Sequence, residues 1–389
     1  MILTIEEIIL NPMSELKLPN RQPDLPLLLI TIVLIVIGII MIISTSSVVG
    51  YTGYNDSYYF IKKHCLYLML GVGLFIVGLK TPHYLYYKWV GWGLFISCIL
   101  VGLTMVPGVG VMAFGARRWI NLGFISFQPV ELLKFFVIAF TAWVLTIKKD
   151  KIRSFKKGLV PLFAMVLVPI LLTAKQPDLG NTMLMAVVIF VLLFVGRARL
   201  FHLFGMVGLG LGGMAGSILL HPYQMQRIRT FLDPFSDPLG KSYHIVQSFI
   251  AIGSGGIWGV GIGQSHLKYS YLPLQYSDFI FSIICEEGGF VLAMIVILLL
   301  VFFFQRGMKI AMQSHTLFSY YLALGLTLQI VLQSFINIAV VIGVFPTKGI
   351  PLAFISFGGT SLIMSMFTVG VILNISMSSA PKGTTDAQG

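Results

Sequence analysis

Long apolar runs separated by short polar stretches are the main pattern of this chain. A helix that crosses the hydrocarbon core of a bilayer needs about 20 predominantly apolar residues. The runs also lack the apolar–polar alternation that is typical of strands in a membrane β-barrel. We therefore predict an all-α, polytopic membrane protein with about ten transmembrane helices. The predicted helices cover residues 25–44, 62–80, 89–106, 131–147, 158–174, 181–196, 199–220, 279–304, 316–341 and 350–375.

The predicted domain organisation is a single ten-helix membrane domain over residues 25–376, with polar tails at 1–24 and 377–389. One connection, at about 221–278, is much longer than the others and contains a glycine-rich, aromatic stretch at 253–263. A connection of this length inside a compact body is usually functional. We expect it to lie on the outer side of the membrane, between the seventh and eighth helices.

Composition supports the membrane assignment, because 57% of the 389 residues are hydrophobic and only 10% are charged. A soluble domain carries about 25% charged residues, so a soluble surface is excluded. The formal net charge of +12 would favour nucleic-acid binding in a soluble protein. Here the cations lie in short loops between apolar runs, which indicates contact with anionic membrane lipids and no nucleic acid as partner.

The distribution of Lys and Arg over the connections predicts the orientation. With the N-terminus inside, 15 of these residues fall on the cytoplasmic side and 10 on the other, while Lys134 lies inside a predicted helix. Since cytoplasmic loops carry an excess of Lys and Arg, this bias predicts that both termini are cytoplasmic. The long connection then lies outside.

Acidic residues are few, and five of them lie at or within apolar runs. Ionisable groups at such depth are costly and are functional by default. On the predicted topology Asp178 and Asp278 lie at the outer face, and Glu131 opens the fourth helix from the same side. Because a helix rises about 1.5 Å per residue, Glu286 and Glu287 lie about two turns below Asp278.

Basic residues converge on the same outer face. Arg117 and Arg118 lie in the loop before the fourth helix, and Lys348 precedes the last helix. Lys134 follows Glu131 by three residues, so the two can pair on one helix face. Cations around a few carboxylates suit a diphosphate with a nearby base, because Arg binds phosphate bidentately and Lys acts as a point charge. Further cations of this face are Lys175, Arg227 and Arg229.

Each of these groups also has a structural interpretation. Glu131 and Lys134 can form an ion pair that locks the fourth helix to a neighbour. Asp178 and Asp278 are each placed to cap the helix that follows, since Asp is a favoured N-cap. Glu287 lies roughly opposite Asp278 on the helix wheel, which favours a structural role. The histidines show no zinc-binding spacing, and the chain lacks a GxSxG motif.

Four motifs stand in order along the chain, within residues 115–134, 175–180, 272–287 and 346–359. At the expected helix positions, they resemble the signatures of the SEDS proteins (shape, elongation, division and sporulation). The resemblance runs from about residue 25 to residue 376. Lys348 brings the sequence nearer to the division members of the family, FtsW, than to the elongation members, RodA. The motifs are Gly115-Ala116-Arg117-Arg118-Trp119-Ile120 with Phe127-Gln128-Pro129-Val130-Glu131-Leu132-Leu133-Lys134; Lys175-Gln176-Pro177-Asp178-Leu179-Gly180; Leu272-Pro273, Ser277-Asp278-Phe279-Ile280-Phe281 and Glu286-Glu287; and Pro346-Thr347-Lys348-Gly349-Ile350-Pro351-Leu352 with Ile355-Ser356-Phe357-Gly358-Gly359.

This resemblance implies an enzyme of the bacterial plasma (inner) membrane that polymerises peptidoglycan glycan strands by inverting transfer from lipid II. It implies a class B penicillin-binding protein, a transpeptidase, as partner, together with other membrane proteins of the division or elongation machinery. A cofactor is not required by the motifs, but a divalent cation, Mg²⁺ or Mn²⁺, is compatible with them.

The resemblance also implies roles for individual residues. Asp278 would be the catalytic base that takes the proton of the acceptor hydroxyl. Arg117, Arg118, Lys134 and Lys348 would offset the charge of the departing diphosphate. The expected substrate-binding set is Arg117, Arg118, Glu131, Lys134, Asp178, Lys348 and Ser356, with no metal ligand assigned.

The sequence departs from the family pattern at several positions, of which Leu274 matters most. The family usually has Glu there, so one acid beside Asp278 is missing in this chain. Two other functions stay open at this point: a flippase or transporter of lipid II, and a non-catalytic scaffold of the division machinery. Glycan chains of increasing length would indicate a polymerase, whereas lipid moved unaltered would indicate a transporter.

Overall fold

The computed structural model describes residues 22–113, 116–123, 125–220, 222–240, 242–265, 276–346 and 349–378. Within these ranges the chain forms α-helices and one small antiparallel sheet. The helices are α1 (Leu25–Tyr54), α2 (Tyr59–Lys80), α3 (His83–Thr104), α4 (Pro129–Lys148), α5 (Val160–Lys175), α6 (Leu179–Val195), α7 (Leu200–Leu220), α8 (Pro222–Leu232), α9 (Tyr243–Gly255), α10 (Ile280–Gln313), α11 (Leu317–Val341) and α12 (Gly359–Met377). The strands are β1 (Gly110–Ala113), β2 (Ala116–Asn121) and β3 (Ser126–Phe127).

The helices match the predicted membrane spans. Among the described residues, 7 helices, α1 to α4 and α10 to α12, are long and apolar enough to cross a membrane. Three shorter apolar helices, α5, α6 and the Leu200–Gly210 part of α7, occupy the remaining predicted spans. The prediction of an all-α membrane protein with about ten transmembrane helices is therefore confirmed.

The centre of the bundle is formed by α4, α11 and α12. In these helices 72%, 78% and 83% of the apolar window is buried inside the protein, against 39% or less in α1, α2, α3 and α10. A helix that is apolar all round and surrounded by protein is a core helix, whereas one with an exposed apolar face meets lipid. The motif residues of α4 thus lie in the protein interior, packed beside α11 and α12.

The last predicted helix, 350–375, is wrong at its start, because α12 begins at Gly359. The residues before it form an irregular buried segment, in which the N–H of Leu352 donates to Oγ of Ser356 (2.8 Å). Pro351 has no N–H to donate within a helix, and it also disfavours a helical conformation of the preceding residue. The segment is apolar because it is buried inside the protein.

The loop expected before the fourth helix contains the three-stranded sheet, in the order β1-β2-β3. Val111 of β1 pairs with Trp119 and Met112 pairs with Arg117, so Arg118 is an extra residue in β2. A β-bulge of this kind changes the direction of a side chain relative to the regular alternation of a strand. The expectation of a plain loop is thus corrected, and the bulge determines where Arg118 points.

The glycine-rich part of the long connection packs along α10. Helix α10 is broken at Gly289, which has φ 65° and ψ −167°. The break leaves main-chain groups without helical partners, and such groups must be satisfied inside a membrane protein. The glycine-rich segment supplies the partners. The bonds run from the N–H groups of Val260 and Gly261 to the carbonyls of Glu286 and Glu287 (2.9 and 3.1 Å), and from those of Phe290 and Val291 to the carbonyls of Gly256 and Ile257 (2.9 and 3.2 Å).

Replacing Gly259 by Ala is expected to destabilise the protein by about 1–3 kcal/mol or more. A Cβ at this position would lie 2.2 Å from the carbonyl oxygen of Glu287, and the φ of +81° is unfavourable for any residue with a side chain. Thermal unfolding of the purified protein in detergent measures the effect. Gly253→Ala is the matched control, because nothing lies within 4 Å of its Cβ. Equal melting temperatures for the two variants would contradict the proposed packing.

Hydrogen bonds between distant segments show which connections lie together at each end of the bundle. At one end, the Oγ1 of Thr360 donates to the carbonyl of Ser126 (3.1 Å). At the other end, Nε of Arg306 donates to Oδ1 of Asp24 (3.2 Å), and the N–H of Asp24 donates to Oγ of Ser376 (3.2 Å). The predicted grouping of connections on two faces agrees with these contacts. Which face is cytoplasmic stays a prediction.

Candidate active site

Asp278 lies in the turn directly before α10, and its side chain is half-buried. Its carbonyl oxygen accepts a hydrogen bond from Nδ2 of Asn337 in α11 (2.8 Å), and the same amide donates to the carbonyl of Ile350 (2.8 Å). A Cβ added to Gly349 would lie 3.1 Å from Oδ2 of Asp278. The C-terminal motif therefore lies close to the carboxylate, at a distance that would be tight for a residue with a side chain.

Ser356 fixes the main chain that precedes Asp278. Its hydroxyl donates to the carbonyl of Ser277 (2.6 Å) and accepts from the N–H of Leu352 (2.8 Å). The N–H of Phe357 donates to the carbonyl of Tyr276 (2.9 Å). Because the Ser356 hydroxyl is buried and engaged in this way, the structure favours a positioning role for it. The predicted substrate contact of Ser356 is not supported by these bonds.

Burial raises the pKa of the Asp278 carboxyl to about 6. A hydrogen bond from Ser277 and the positive charges of Arg227 and Arg118 lower this pKa, and the negative charge of Asp178 raises it. These residues come from four separate segments, so the fold brings together groups that the sequence could only place on one face. A general base works best when its pKa lies near the working pH, and a pKa of about 6 lies closer to neutral pH than that of an ordinary aspartate.

Arg118 points from the bulge of β2 to the turn between α5 and α6. Its Nε donates to the carbonyl of Gln176 (3.1 Å), and its Nη2 donates to the carbonyl of Pro177 (2.6 Å). These bonds hold a positive charge near Asp278 and leave part of the guanidinium for an anion. Arg117 is also half-buried, and its guanidinium has no hydrogen-bond partner among the residues described. Its predicted contact with substrate stays a prediction.

Asp178 is the N-cap of α6, as its structural interpretation proposed. Its carboxylate accepts from the N–H of Asn181 (3.2 Å) and from Nδ2 of the same residue (2.9 Å). The residue is 4% exposed. An N-cap bond satisfies main-chain groups that a helix leaves open at its start. Asp178 thus shapes the electrostatics of Asp278 from a buried position, and direct contact with substrate is disfavoured.

Glu131 and Lys134 form a buried ion pair, with 2.9 Å between Oε1 and Nζ. The Lys134 ammonium also donates to Oε1 of Gln333 in α11 (2.9 Å). The amide of Gln333 in turn donates to the carbonyl of Pro351 and to Oγ of Ser361 (both 3.1 Å). Since Lys134 is 0% exposed, the structure favours the ion-pair interpretation over direct binding of substrate.

The two amides of α11 connect this ion pair with Asp278. Gln333 and Asn337 are four residues apart, so they lie on one face of the helix about one turn from each other. Gln333 binds the ion pair, and Asn337 binds the segment that contains Asp278. Neither amide was predicted from the sequence to belong to the site. The available signal was the presence of two amides at helical spacing within an apolar run.

Two positions singled out in the sequence are not covered by the residues that the structure describes. Lys348 and the departure at Leu274 lie outside the described residues. Within the described ranges, no group of three or more His, Cys, Asp or Glu residues could hold a metal ion. Mg²⁺ is often held by one or two carboxylates together with substrate phosphates. A divalent cation that binds together with a substrate diphosphate stays a prediction.

These features define a polytopic membrane protein with a carboxylate of raised pKa set among arginines at one end of its helix bundle. The family described as cell cycle protein, which comprises the FtsW, RodA and SpoVE proteins, matches residues 25–380. The chain therefore belongs to the FtsW/RodA/SpoVE family, in agreement with the resemblance of its motifs.

Individual relatives cover nearly the whole chain. The stage V sporulation protein E of Bacillus subtilis (strain 168) is 39% identical over 354 residues, which is 91% of this chain and 97% of the relative. A protein of Trichlorobacter lovleyi (strain ATCC BAA-1151 / DSM 17278 / SZ), named probable peptidoglycan glycosyltransferase FtsW, is 36% identical, covering 91% of this chain and 93% of the relative.

A solved structure confirms the fold. A chain of a peptidoglycan synthase complex, in which polymerization and crosslinking are coordinated, superposes with a TM-score of 0.73 at 26% identity. The match covers 91% of this chain and 97% of that chain.

Proposed function

We propose that this protein is a peptidoglycan glycosyltransferase that extends glycan strands with disaccharide-peptide units from lipid II. The observation that carries this proposal is Asp278, a half-buried carboxylate with a pKa of about 6 beside Arg118 and Arg227. The family and the names of its relatives support the same activity. A base among cations at one end of a membrane bundle suits a substrate with a lipid tail, a diphosphate and a sugar.

Each of these groups has a role in the proposed reaction. Asp278 accepts the proton of a hydroxyl on the acceptor sugar, and that oxygen forms a bond to the anomeric carbon of the donor. The bond from this carbon to the diphosphate breaks, and the lipid diphosphate leaves with the electron pair. Arg118 and Arg227 offset the negative charge that develops on the leaving group. A single displacement of this kind inverts the configuration at the anomeric carbon.

The surrounding protein holds the base in place. Asn337 and Ser356 bind the main chain on both sides of the Asp278 carboxylate, and the close approach of Gly349 limits its movement. A catalytic group must be held within fractions of an ångström of its working geometry. We include these residues as positioning residues in the proposal.

The proposal also includes orientation and partner. The site end of the bundle is proposed to face outward and both termini to be cytoplasmic, which the charge bias of the connections supports. A class B penicillin-binding protein is the proposed partner, because the superposed chain belongs to a peptidoglycan synthase complex. Other proteins of the division or elongation machinery stay predictions.

The test is polymerisation by the purified protein, reconstituted with its partner and supplied with lipid II. Gel analysis is expected to show glycan chains of increasing length for the wild type. Lipid II that crosses the membrane unaltered, without polymer, would instead indicate a transporter. Normal partner binding with neither outcome would indicate a scaffold.

The pH dependence of polymerisation gives a separate prediction. Because Asp278 acts as a base, it must be ionised, so the rate is expected to rise with pH through about 6 and then to level off. Stability is expected to respond in the opposite direction. A carboxyl whose pKa is raised by folding stabilises the protein below its ordinary pKa of 3.8, and this contribution is lost as the pH rises through about 6. Initial polymerisation rates between pH 5 and 8 test the predicted rise of the rate, and a rate that does not change with pH would contradict it.

A further inference from the structure

A continuous run of aromatic rings leads from the protein surface to the immediate neighbourhood of Asp278. Tyr54, at the end of α1, stacks on Tyr59 of α2 with 3.7 Å between ring centroids and 10° between planes. Tyr59 contacts Phe60 edge to face (5.3 Å), and Phe60 contacts Tyr276 (4.5 Å). Tyr276 lies two residues before Asp278. The run therefore has one end in solvent or headgroups and the other at the proposed base.

The two ends of the run differ in burial. Tyr54 is 54% exposed, whereas Phe60 is 6% exposed. One face of the Tyr54 ring packs on Tyr59, so the exposed part of its surface is available to a ligand. The pKa of Tyr276 is raised by burial and then by the charges of Tyr54 and Asp278, which places its phenol near both groups.

We propose that Tyr54, Tyr59 and Tyr276 form a saccharide-binding subsite that holds a sugar ring of the glycan next to Asp278. This inference rests on the proposed function and names the part of the substrate that these residues contact. Sugar rings present C–H groups on their faces, which pack on aromatic rings, and hydroxyls at their edges, which bond to phenol oxygens. The exposed ring of Tyr54 offers the first kind of contact, and the phenol oxygens of the tyrosines offer the second.

The arginines proposed to bind the diphosphate come from other segments than the aromatic run, whereas Lys63 borders the run itself. Lys63 lies over the ring of Tyr59 at 4.6 Å, and Lys62 is paired with Asp56 (2.8 Å). The cations near Asp278 itself are Arg118 and Arg227, which come from other segments. The diphosphate thus has its own proposed binding groups, and the aromatic run is formed by other segments.

Tyrosines at the end of membrane helices commonly form an interfacial belt, which is the alternative explanation. It accounts for Tyr51 and Tyr58, which are 63% and 65% exposed. Neither of them has an aromatic ring contact among the described residues. It does not account for a run that turns inward through Phe60 to Tyr276. Tyr58 is therefore a matched control, since it shares the interface without sharing the run.

The test uses the full-length protein in lipid nanodiscs and a lipid-free probe, the β-1,4-linked N-acetylglucosamine tetramer. Ligand-observed NMR measures its dissociation constant. Tyr54→Ala is expected to weaken binding about tenfold, which corresponds to the loss of one aromatic contact. Tyr54→Phe keeps the ring and is expected to retain most of the affinity, and Tyr58→Ala is expected to bind like the wild type.

Polymerisation supplies the second measurement. With its partner and lipid II, Tyr54→Ala is expected to make shorter glycan strands than the wild type, because the strand is released sooner, while Tyr58→Ala makes strands of normal length. Equal probe binding by Tyr54→Ala and wild type, or equal losses in Tyr54→Ala and Tyr58→Ala, would overturn the subsite. Wild-type protein that does not polymerise at all would overturn the proposed function instead. Melting temperatures of the variants separate loss of binding from loss of folding.

Discussion

Asp278→Asn is expected to lower the rate of lipid II polymerisation by about 10²–10⁴-fold, the usual contribution of a general base. The amide has nearly the same shape, so the hydrogen bonds of the neighbouring main chain to Asn337 and Ser356 can persist. It cannot accept the proton of the acceptor hydroxyl. The variant is therefore expected to fold and to bind its partner normally. Initial rates measured on gels, with protein amounts matched, give the result.

Asp178→Asn is the matched control for this substitution. It makes the same chemical change at a carboxylate close enough to affect Asp278, and Asn is as good an N-cap as Asp. Because the negative charge of Asp178 raises the pKa of Asp278, its removal is expected to move the acid limb of the rate profile to lower pH. Activity at neutral pH is expected to change little. Full activity of Asp278→Asn would remove Asp278 as the base, whatever the control shows.

The membrane spans could be predicted from the sequence because burial in lipid depends on composition over about 20 residues. A composition averaged over a span does not show where a helix inside that span begins or breaks. The break at Gly289 lies within a run that reads as one continuous helix, and the start of α12 at Gly359 follows a buried segment that is equally apolar. In both cases hydrogen bonds from distant segments determine the conformation, and hydropathy carries no information about them.

The candidate site also has residues that the sequence could predict and residues that it could not. Asp278 could be singled out because an acid beside an apolar run is costly and therefore informative. The direction of Arg118 could not be predicted, since it depends on a bulge against Met112 in a strand that the sequence did not indicate. The roles of Gln333 and Asn337 were also missed. Amides in a membrane helix are common packing groups, and only their partners distinguish them.

Lys134→Met is expected to destabilise the protein by about 3–5 kcal/mol, because it leaves the Glu131 carboxylate buried without its cation. The ion pair is sealed from solvent, with side-chain exposures of 1% and 3%. Met has a similar length, so packing is largely preserved. Lys134 also binds Gln333, whose amide reaches Pro351 and Ser361 of the C-terminal motif. The loss is therefore expected to reach the segment around Asp278, which lowers activity in addition to stability.

Thermal unfolding in detergent measures the loss, and Lys62→Met is the matched control. Lys62 forms a pair of similar length with Asp56 (2.8 Å), but its side chain is 68% exposed. Exposed pairs are screened by water and contribute little, so this variant is expected to melt like the wild type. Glu131→Gln combined with Lys134→Met removes both charges and is expected to recover much of the stability, because burying an unpaired charge is the main cost. If the double variant were as unstable as Lys134→Met alone, the cause would be the loss of the lysine's own contacts, its stem packing and its bond to Gln333, and the unpaired charge of Glu131 would have no part in it.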